Sequence, residues 1–217
     1  ALARLGDASG AETLFRTAET PSLLLPMRCA AIEALGSLPD AQSYPRLSQL
    51  LDEYGTTEQG QRQVYVPELH AELVAAVAPR AGATDDPRLL AALCSRSADV
   101  RLEALYAWGY HEDAPLPDAL LDLRASGDAR LRLALIELLL ARRHADAQRL
   151  LTEAVRDHDL QVRIAAIHGL GSLGGDQSQA TLEELRTHHA GRMREAAVFA
   201  LASMGDHEAV FKSLQDE

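Results

Sequence analysis

The chain is poor in the residues on which several classes of protein depend. Only 4% of its 217 residues are aromatic, asparagine is absent, and two cysteines, Cys29 and Cys94, are too few for a disulfide scaffold. No apolar run approaches the roughly 18 residues of a membrane span, so we expect no membrane insertion. The two cysteines fall in different repeats, which favours two separate buried thiols in a reducing compartment, the cytoplasm.

Basic residues are also scarce. Lysine and arginine number 21 against 32 aspartates and glutamates, which gives a net charge of -11. Proteins that bind nucleic acid usually present a basic stripe to the phosphates, so we expect no nucleic-acid partner. Hydrophobic residues, in contrast, make up 47% of the chain, and a chain of this length can bury a sizeable core.

The apolar residues recur with a period of 31 residues. Column A holds Met27, Leu69, Val100, Leu131, Val162 and Met193. Column B, five positions later, holds Ile32, Val74, Leu105, Ile136, Ile167 and Val198. Column C, eight positions after column A, holds Leu35, Val77, Trp108, Leu139, Leu170 and Leu201. This spacing places all three columns on one side of a helix. Each repeat is therefore predicted to begin with a helix buried along one face, with Trp108 in the core.

A further column predicts a second helix in each repeat. Column D lies twenty positions after column A and holds Leu14, Leu47, Leu89, Leu120, Leu151 and Leu182. Proline or glycine lies between the two helices of most repeats, and Asp128 and Asp159 are predicted to cap first helices. A helix pair cannot bury its apolar faces alone, so we predict an all-α solenoid of about seven stacked helix-turn-helix pairs.

The organisation of the repeats predicts a single domain over residues 1–217. The first pair is incomplete, so we expect the natural chain to continue upstream. The first two complete repeats are separated by eleven residues more than the period of 31, and the extra residues lie at about 55–65. Insertions in repeat proteins often contact a ligand, and Arg62 and Tyr65 are candidates for this; a lengthened helix pair without such a role is the alternative.

An arginine directly follows the column A residue in most repeats. These residues are Arg28, Arg101, Arg132, Arg163 and Arg194. The stretch 162–174 spells Val-Arg-x-x-Ala-Ala-x-x-Leu-Gly-x-Leu-Gly and resembles the short HEAT-like repeats named after phycobilisome lyases. The resemblance implies right-handed stacking, with second helices lining a concave face. It also implies that the arginines pair with acidic groups of neighbouring repeats. Because such repeats occur in scaffolds, regulators and a few enzymes, it is informative about fold rather than function.

Two motifs invite a chemical interpretation. Gly169, Gly171 and Gly174 form G-x-G-x-x-G, but a dinucleotide site needs a preceding strand, whereas these glycines end a helix and are predicted to allow close packing. The deoxyhypusine hydroxylases, which resemble this architecture, bind a di-iron centre through His-Glu pairs. Here the pairs 111–112 and 207–208 are 96 residues apart and lie at helix ends, so we interpret them as solvated and expect no metal.

Nucleophile motifs are missing as well. The chain contains no G-x-S-x-G, no Walker loop and no H-E-x-x-H, so we predict no catalytic residue and no cofactor. The sequence therefore favours a binding module over an enzyme, with a protein or peptide partner held on the concave face. The candidate contact residues are Phe15, Ser48, Arg62, Tyr65, Leu90, Tyr106, Tyr110, Leu121, Arg149, Thr152, Arg156, Gln179 and Glu183. We expect Tyr106 and Tyr110 to be partly exposed.

Two alternatives come from other classes of protein. The phycobilisome-lyase resemblance implies a bilin lyase or another bilin-handling factor, although no residue indicates that chemistry. Some alkylpurine DNA glycosylases also resemble stacked HEAT-like repeats, but they need a basic channel, which a net charge of -11 opposes.

Overall fold

The computed structural model describes residues 8–38, 43–58, 65–80, 86–110, 115–188 and 191–205. Within these ranges the chain forms α-helices and short 3-10 turns, without a strand, which confirms the all-α prediction. The chain divides into two compact units, which we call unit one (Ala1–Leu123) and unit two (Arg124–Glu217). Each unit is described by itself, and the single domain stays a prediction.

Two sets of helices alternate along the chain. The first helices are α2 (Leu25–Gly36), α4 (Pro67–Val77), α6 (Ala98–Ala107), α8 (Ala129–Ala141), α10 (Leu160–Leu173) and α12 (Arg192–Ser203). The second helices are α1 (Ala8–Glu19), α3 (Ser43–Glu58), α5 (Pro87–Leu93), α7 (Asp118–Leu121), α9 (Ala147–Ala154) and α11 (Gly175–His188). Short 3-10 turns follow α4, α6 and α7, at Ala78–Arg80, Trp108–Tyr110 and Asp122–Ala125. Helix α3 runs to Glu58, so the first residues of the predicted insertion lengthen a helix, and Arg62 lies outside the described residues.

The helices stack in the predicted order within each unit. In unit one, α2 packs on α4 and α4 on α6; in unit two, α8 packs on α10 and α10 on α12. Within each unit, second helices also pack on the first helices that follow them, as α3 does on α4 and α11 on α12. One layer therefore covers the apolar face of the next, as a repeat architecture requires.

The predicted columns form the core. Apart from the members in α1 and α12, columns B and D are buried, and column C is buried throughout, with Trp108 only 1% exposed. Met27, at the start of column A, is 50% exposed because no first helix precedes α2 among the described residues. In α1 the core position shifts by one residue, since Phe15 is buried and Leu14 only half-buried.

The two cysteines lie outside the core. Cys29 is half-buried and Cys94, which directly follows α5, is exposed, so the expectation of two buried thiols is wrong.

The starts of three first helices share one hydrogen-bonded turn. The side chains of Ser97, Asp128 and Asp159 accept hydrogen bonds from backbone amides in the first turns of α6, α8 and α10, which confirms both predicted caps. The amides of these capping residues in turn donate to the side chains two positions earlier, which belong to Ser95, Ser126 and Asp157. Each first helix in this series thus begins after a doubly fixed turn.

The glycines of 169–174 act through packing and turn geometry. A Cβ atom on Gly169 would lie 3.0 Å from Cδ1 of Leu140 and 3.1 Å from Cδ1 of Leu151, which confirms the prediction of close packing. Gly174 ends α10 with a φ of +69°, a conformation that favours glycine. One period earlier, Arg143 ends α8 in the same left-handed region, with a φ of 44°.

Candidate functional site

The second helices of unit one are joined by arginines. Arg46 of α3 reaches back to α1 and forms ion pairs of 2.8 Å with Glu12 and with Glu19, while its guanidinium lies 4.3 Å from the ring centre of Phe15. One period later, Arg88 of α5 forms the equivalent pair with Asp52 of α3, at 2.8 Å. Much of this face is therefore occupied by contacts between neighbouring repeats.

Two of the predicted contact residues are not on the surface. Phe15 and Ser48 are each 5% exposed, so the expectation that both side chains face outward is wrong. The reason for Phe15 is the one-residue shift of the core position in α1, which places its ring beneath Arg46. Ser48 is a small residue beside a fully buried leucine, and its hydroxyl oxygen is covered without a hydrogen-bond partner among the described residues.

The other candidates in unit one are divided between two faces. Leu90 and Leu121 are half-buried on second helices. Tyr106 and Tyr110 are 44% and 63% exposed, as predicted, but they lie on α6 and the turn after it, which places them with the first helices. The half-buried Tyr65 contacts His70, with 3.0 Å between its hydroxyl and Nδ1 of the imidazole.

In unit two, the second helices α9 and α11 carry polar side chains that are held by internal contacts. Arg149 pairs with Asp146 at 3.2 Å and with Glu153 at 3.0 Å. The hydroxyl of Thr152 donates to the backbone carbonyl of Gln148. The side chain of that glutamine accepts a 2.7 Å hydrogen bond from the buried Ser178, which joins α9 to α11.

The remaining candidates in unit two lie on α11 and in the turn after α9. Arg156 and Gln179 are exposed, and the half-buried Glu183 accepts a 2.8 Å hydrogen bond from Arg186. The helices α9 and α11 and the turn after α9 therefore carry five predicted contact residues, which are Arg149, Thr152, Arg156, Gln179 and Glu183. Their role in binding stays a prediction.

A cavity of about 180 Å³ opens on this side of unit two, and we call it the α8–α9 cleft. Its lining residues are Arg124, Ala125, Arg132, Leu135, Ile136, Leu139, Leu150, Glu153, Ala154, Asp157 and Val162. The leucines, Ile136 and Val162 are buried and form the floor, while the exposed rim consists of Arg124, Ala125 and Glu153. Of the rim residues, Glu153 belongs to α9, and Arg124 and Ala125 belong to the 3-10 turn that precedes α8, so the cleft opens beside the second helix α9.

A buried ion pair forms one wall of the cleft. Nε and one terminal nitrogen of Arg132 lie 2.7 Å and 2.9 Å from the two carboxylate oxygens of Asp157, and the arginine side chain is only 4% exposed. Burial alone would raise the pKa of Asp157, but hydrogen bonds from Arg132 and from the Asp159 amide outweigh it and lower that pKa. The wall is therefore charged but internally neutralised.

Models of known protein families match two parts of the chain, and both models describe helical repeats. The model for HEAT repeats matches residues 116–202, and the model for the PBS lyase HEAT-like repeat matches residues 27–53. The chain therefore contains HEAT-like repeats. No curated protein matches it significantly in sequence.

Solved structures are similar to this HEAT-like repeat chain at low sequence identity. The crystal structure of YibA from Escherichia coli is 15% identical, with a TM-score of 0.66, and the match covers 99% of this chain and 77% of that one. Human deoxyhypusine hydroxylase in complex with glycerol is 21% identical, with a TM-score of 0.45 and coverages of 94% and 76%. An engineered protein is 16% identical, with a TM-score of 0.46 and coverages of 90% and 96%. The first of these supports the all-α repeat fold.

The HEAT-like arginines do not all pair with acidic groups, which corrects the expectation from the resemblance. Arg132 does so because Asp157 lies 25 residues later, but the residue 25 positions after Arg101 is Ser126. Arg163 donates instead to the backbone carbonyls of Asp157 and His158, and Arg28 donates to the backbone carbonyl of Ala18 at 2.8 Å. The column therefore binds whatever acceptor the neighbouring turn supplies.

The first helices of unit one carry half-buried carboxylates close to one another. Burial, and after it the charge of Glu33, raises the pKa of Glu72 on α4. Burial, followed by the charges of Glu72 and Asp99, raises the pKa of Glu103 on α6. These groups repel one another in the folded protein.

Neither a metal centre nor a membrane helix is found in the part of the chain that the structure describes. Within it, no three His, Cys, Asp or Glu side chains are grouped so that they could hold a metal ion. The two His-Glu pairs, 111–112 and 207–208, lie outside that part. None of its helices has the length and apolar character needed to cross a membrane.

Proposed function

We propose that this HEAT-like repeat chain is a non-enzymatic scaffold that binds a protein or peptide on the face formed by its second helices. The observation that carries the proposal is the α8–α9 cleft, a concavity of side-chain size that opens beside the second helix α9. The polar side chains of α9 and of its neighbour α11 differ from repeat to repeat on a frame whose core positions are constant. Repeat proteins commonly bind partners through such surfaces.

The side chains of this face are ordered before any partner arrives. Arg149 is held by Asp146 and Glu153, and Glu183 by Arg186. Because binding then immobilises fewer free rotamers, the entropic cost of association is lower than for unconstrained long side chains.

The charge of the chain favours a basic partner. The net charge is -11, and unit one contains twice as many acidic as basic residues. Complementary charge speeds encounter and selects among partners more than it raises affinity. Binding is therefore expected to slow and weaken as salt is added.

Site-specific photo-crosslinking on the two faces of unit two tests the proposal. A photoreactive benzoylphenylalanine replaces Arg156 or Gln179 on the second-helix face, and Glu137 or Ser172 on the first helices α8 and α10 as matched controls; all four residues are exposed. In native lysate, the same protein should crosslink from the first two positions and not from the controls. Equal crosslinking from all four positions, or crosslinking from the controls alone, would contradict the proposed face.

A second candidate function is bilin handling. It is supported by the match of residues 27–53 to the PBS lyase HEAT-like repeat. A bilin bound in a defined conformation changes its visible absorption, so adding bilin to the purified chain separates the two functions. A saturable shift of the visible band would favour bilin handling, whereas an unchanged spectrum leaves the scaffold function as the better supported one.

A further inference from the structure

The α8–α9 cleft has an origin in the repeat pattern. Ala154, half-buried in its wall, lies three positions after column D. The equivalent residues in other repeats are Thr17, Leu50, Ala92, Leu123 and Leu185. In this repeat, alanine stands where three of the other five have leucine, and the missing isopropyl group contributes to the open volume.

We propose that this cleft binds one uncharged apolar side chain, of leucine or phenylalanine size, from a peptide bound to the second-helix face. The assignment rests on the function proposed above and adds the chemistry that anchors the partner. A single side chain seated in a desolvated pocket is the usual form of an energetic hot spot at protein interfaces.

The floor and the volume of the cleft fit such a group. Leu135, Leu139 and Leu150 present only methyl and methylene groups, and all three are at most 6% exposed. An apolar cavity of about 150 Å³ holds a benzene molecule, so a cavity of about 180 Å³ accommodates a phenyl or isobutyl group.

The two carboxylates that line the cleft are already paired within the chain. Asp157 accepts from Arg132 through both carboxylate oxygens, and Glu153 is paired with Arg149. A charged side chain entering the cleft would lose its hydration without gaining a dedicated partner, which is unfavourable. The occupant is therefore neutral and apolar.

The rim indicates a peptide rather than a free small molecule. Glu153, on the rim, is also paired with Arg149, which belongs to the exposed polar surface of α9. A peptide can thus place one side chain in the cleft while its neighbouring residues contact that polar surface. A free apolar compound would use the floor alone.

Methyl NMR on the full chain tests this assignment with defined probes. N-acetyl-leucinamide and N-acetyl-phenylalaninamide should shift the methyl signals of Leu135, Leu139 and Leu150 in a saturable manner, about ten-fold to a hundred-fold more tightly than N-acetyl-alaninamide. Equal responses to all three amides would overturn the proposal. Benzene binding without leucinamide binding would also overturn it, because the cleft would then be a site for small molecules.

Two variants connect the cleft to the partner. Ala154→Leu restores the residue found in other repeats and should abolish the leucinamide response, while Ala145→Leu, at an exposed position outside the cleft, should leave it unchanged. Thermal unfolding curves establish that both variants fold, and Ala125→Trp on the rim serves as a second block.

The crosslinking experiment separates failure of the cleft from failure of the function. If the wild-type chain crosslinks its partner from Gln179 and Ala154→Leu reduces this at least ten-fold, the cleft is supported. If crosslinking in Ala154→Leu equals that in the wild type, the cleft assignment is wrong and the scaffold function stands. If the wild type gives no crosslink from the second-helix face, the proposed function fails, and the assignment of a peptide side chain fails with it.

Discussion

Gly171 of α10 lies so close to Ala200 of α12 that a Cβ atom on the glycine would come within 2.8 Å of the alanine Cβ and 3.1 Å of its Cα. The same relationship recurs in unit one, where a Cβ atom on Gly36 of α2 would lie 2.9 Å from the Cβ of Ala76 on α4. Both glycines are nine positions after column A, and both alanines seven positions after it in the next repeat. Two small residues therefore set how closely successive first helices approach.

Replacing Gly171 by alanine should destabilise the protein although alanine is the better helix former. The added methyl group would meet backbone as well as side-chain atoms, so α10 and α12 must move apart, at a cost of about 1–3 kcal/mol. Gly109→Ala is the control, because no atom lies within 4 Å of its Cβ position, and it should be neutral or stabilise by about 0.5 kcal/mol. Urea unfolding measures both; equal midpoints for the two variants would show that the contact does not limit packing.

The buried pair between Arg132 and Asp157 should contribute more than an exposed one. Asp157→Ala leaves a buried guanidinium without its carboxylate and should cost about 3–5 kcal/mol. Asp157→Ser keeps an oxygen to accept from the Asp159 amide, as Ser95 and Ser126 do in their turns, and should cost about 1 kcal/mol less than alanine.

An exposed pair and the pH dependence provide the controls for this prediction. Arg130→Ala removes the exposed partner of Asp128 and should cost less than about 1 kcal/mol. Because the pKa of Asp157 is lowered in the folded state, its contribution is complete above the ordinary value of 3.8 and is lost as the pH falls through the lowered value. The stability difference between wild type and Asp157→Ser should therefore narrow in acid; a constant difference would contradict the ion-pair explanation.

The carboxylates of α4 and α6 should have the opposite pH dependence. The pKa values of Glu72 and Glu103 are raised in the folded protein, so ionisation costs no stability below the ordinary value of 4.5 and its full cost is reached above the raised values. Glu72→Gln and Glu103→Gln should each stabilise the protein at pH 7 by about 0.5 kcal/mol, with no gain at pH 4. Glu137→Gln on the exposed surface of α8 is the control. A gain in stability of the same size there would mean that the net charge of the protein, rather than repulsion among the carboxylates of the first helices, is responsible.

Arg143 should be replaceable by glycine with a gain in stability. Its φ of 44° is a left-handed conformation that costs a residue with a side chain about 1–2 kcal/mol, and glycine occupies the equivalent positions 174 and 205. Glycine also increases the conformational entropy of the unfolded chain, which offsets part of this gain. Arg143→Gly should therefore raise the free energy of unfolding by about 0.5–1 kcal/mol. The adjacent Arg142 has a φ of -85°, so Arg142→Gly should instead destabilise. Thermal unfolding of the two variants distinguishes these signs.

Most of the fold could be predicted because it depends on side chains that repeat. Columns A to D identify the buried faces of both helix sets, and the caps at Asp128 and Asp159 follow from their positions three residues before column A. Where a single residue departs from the pattern, the prediction fails locally. The core shift to Phe15 and the turn at Arg143, which has no glycine or proline to mark it, are of this kind.

The candidate site was harder to predict because it depends on what is missing from the repeat. The register of the second helices predicts candidate contact residues on α9 and α11, but it does not predict the α8–α9 cleft. The sequence signal for the cleft is Ala154, because three of the five equivalent positions hold leucine. An alignment of apolar columns treats alanine and leucine alike, so it does not register the volume that separates them.

The turns at Ser95, Ser126 and Asp157 bear on how such a chain can grow. Each turn is closed by a side chain and an amide two residues apart, and the helix after it is capped from within the same short stretch. A segment of one period that is copied in tandem therefore carries its own start signal and needs no new neighbour to define where its helix begins. Gene duplication can lengthen the array one module at a time, while later point changes such as that at position 154 give an individual module its own specificity.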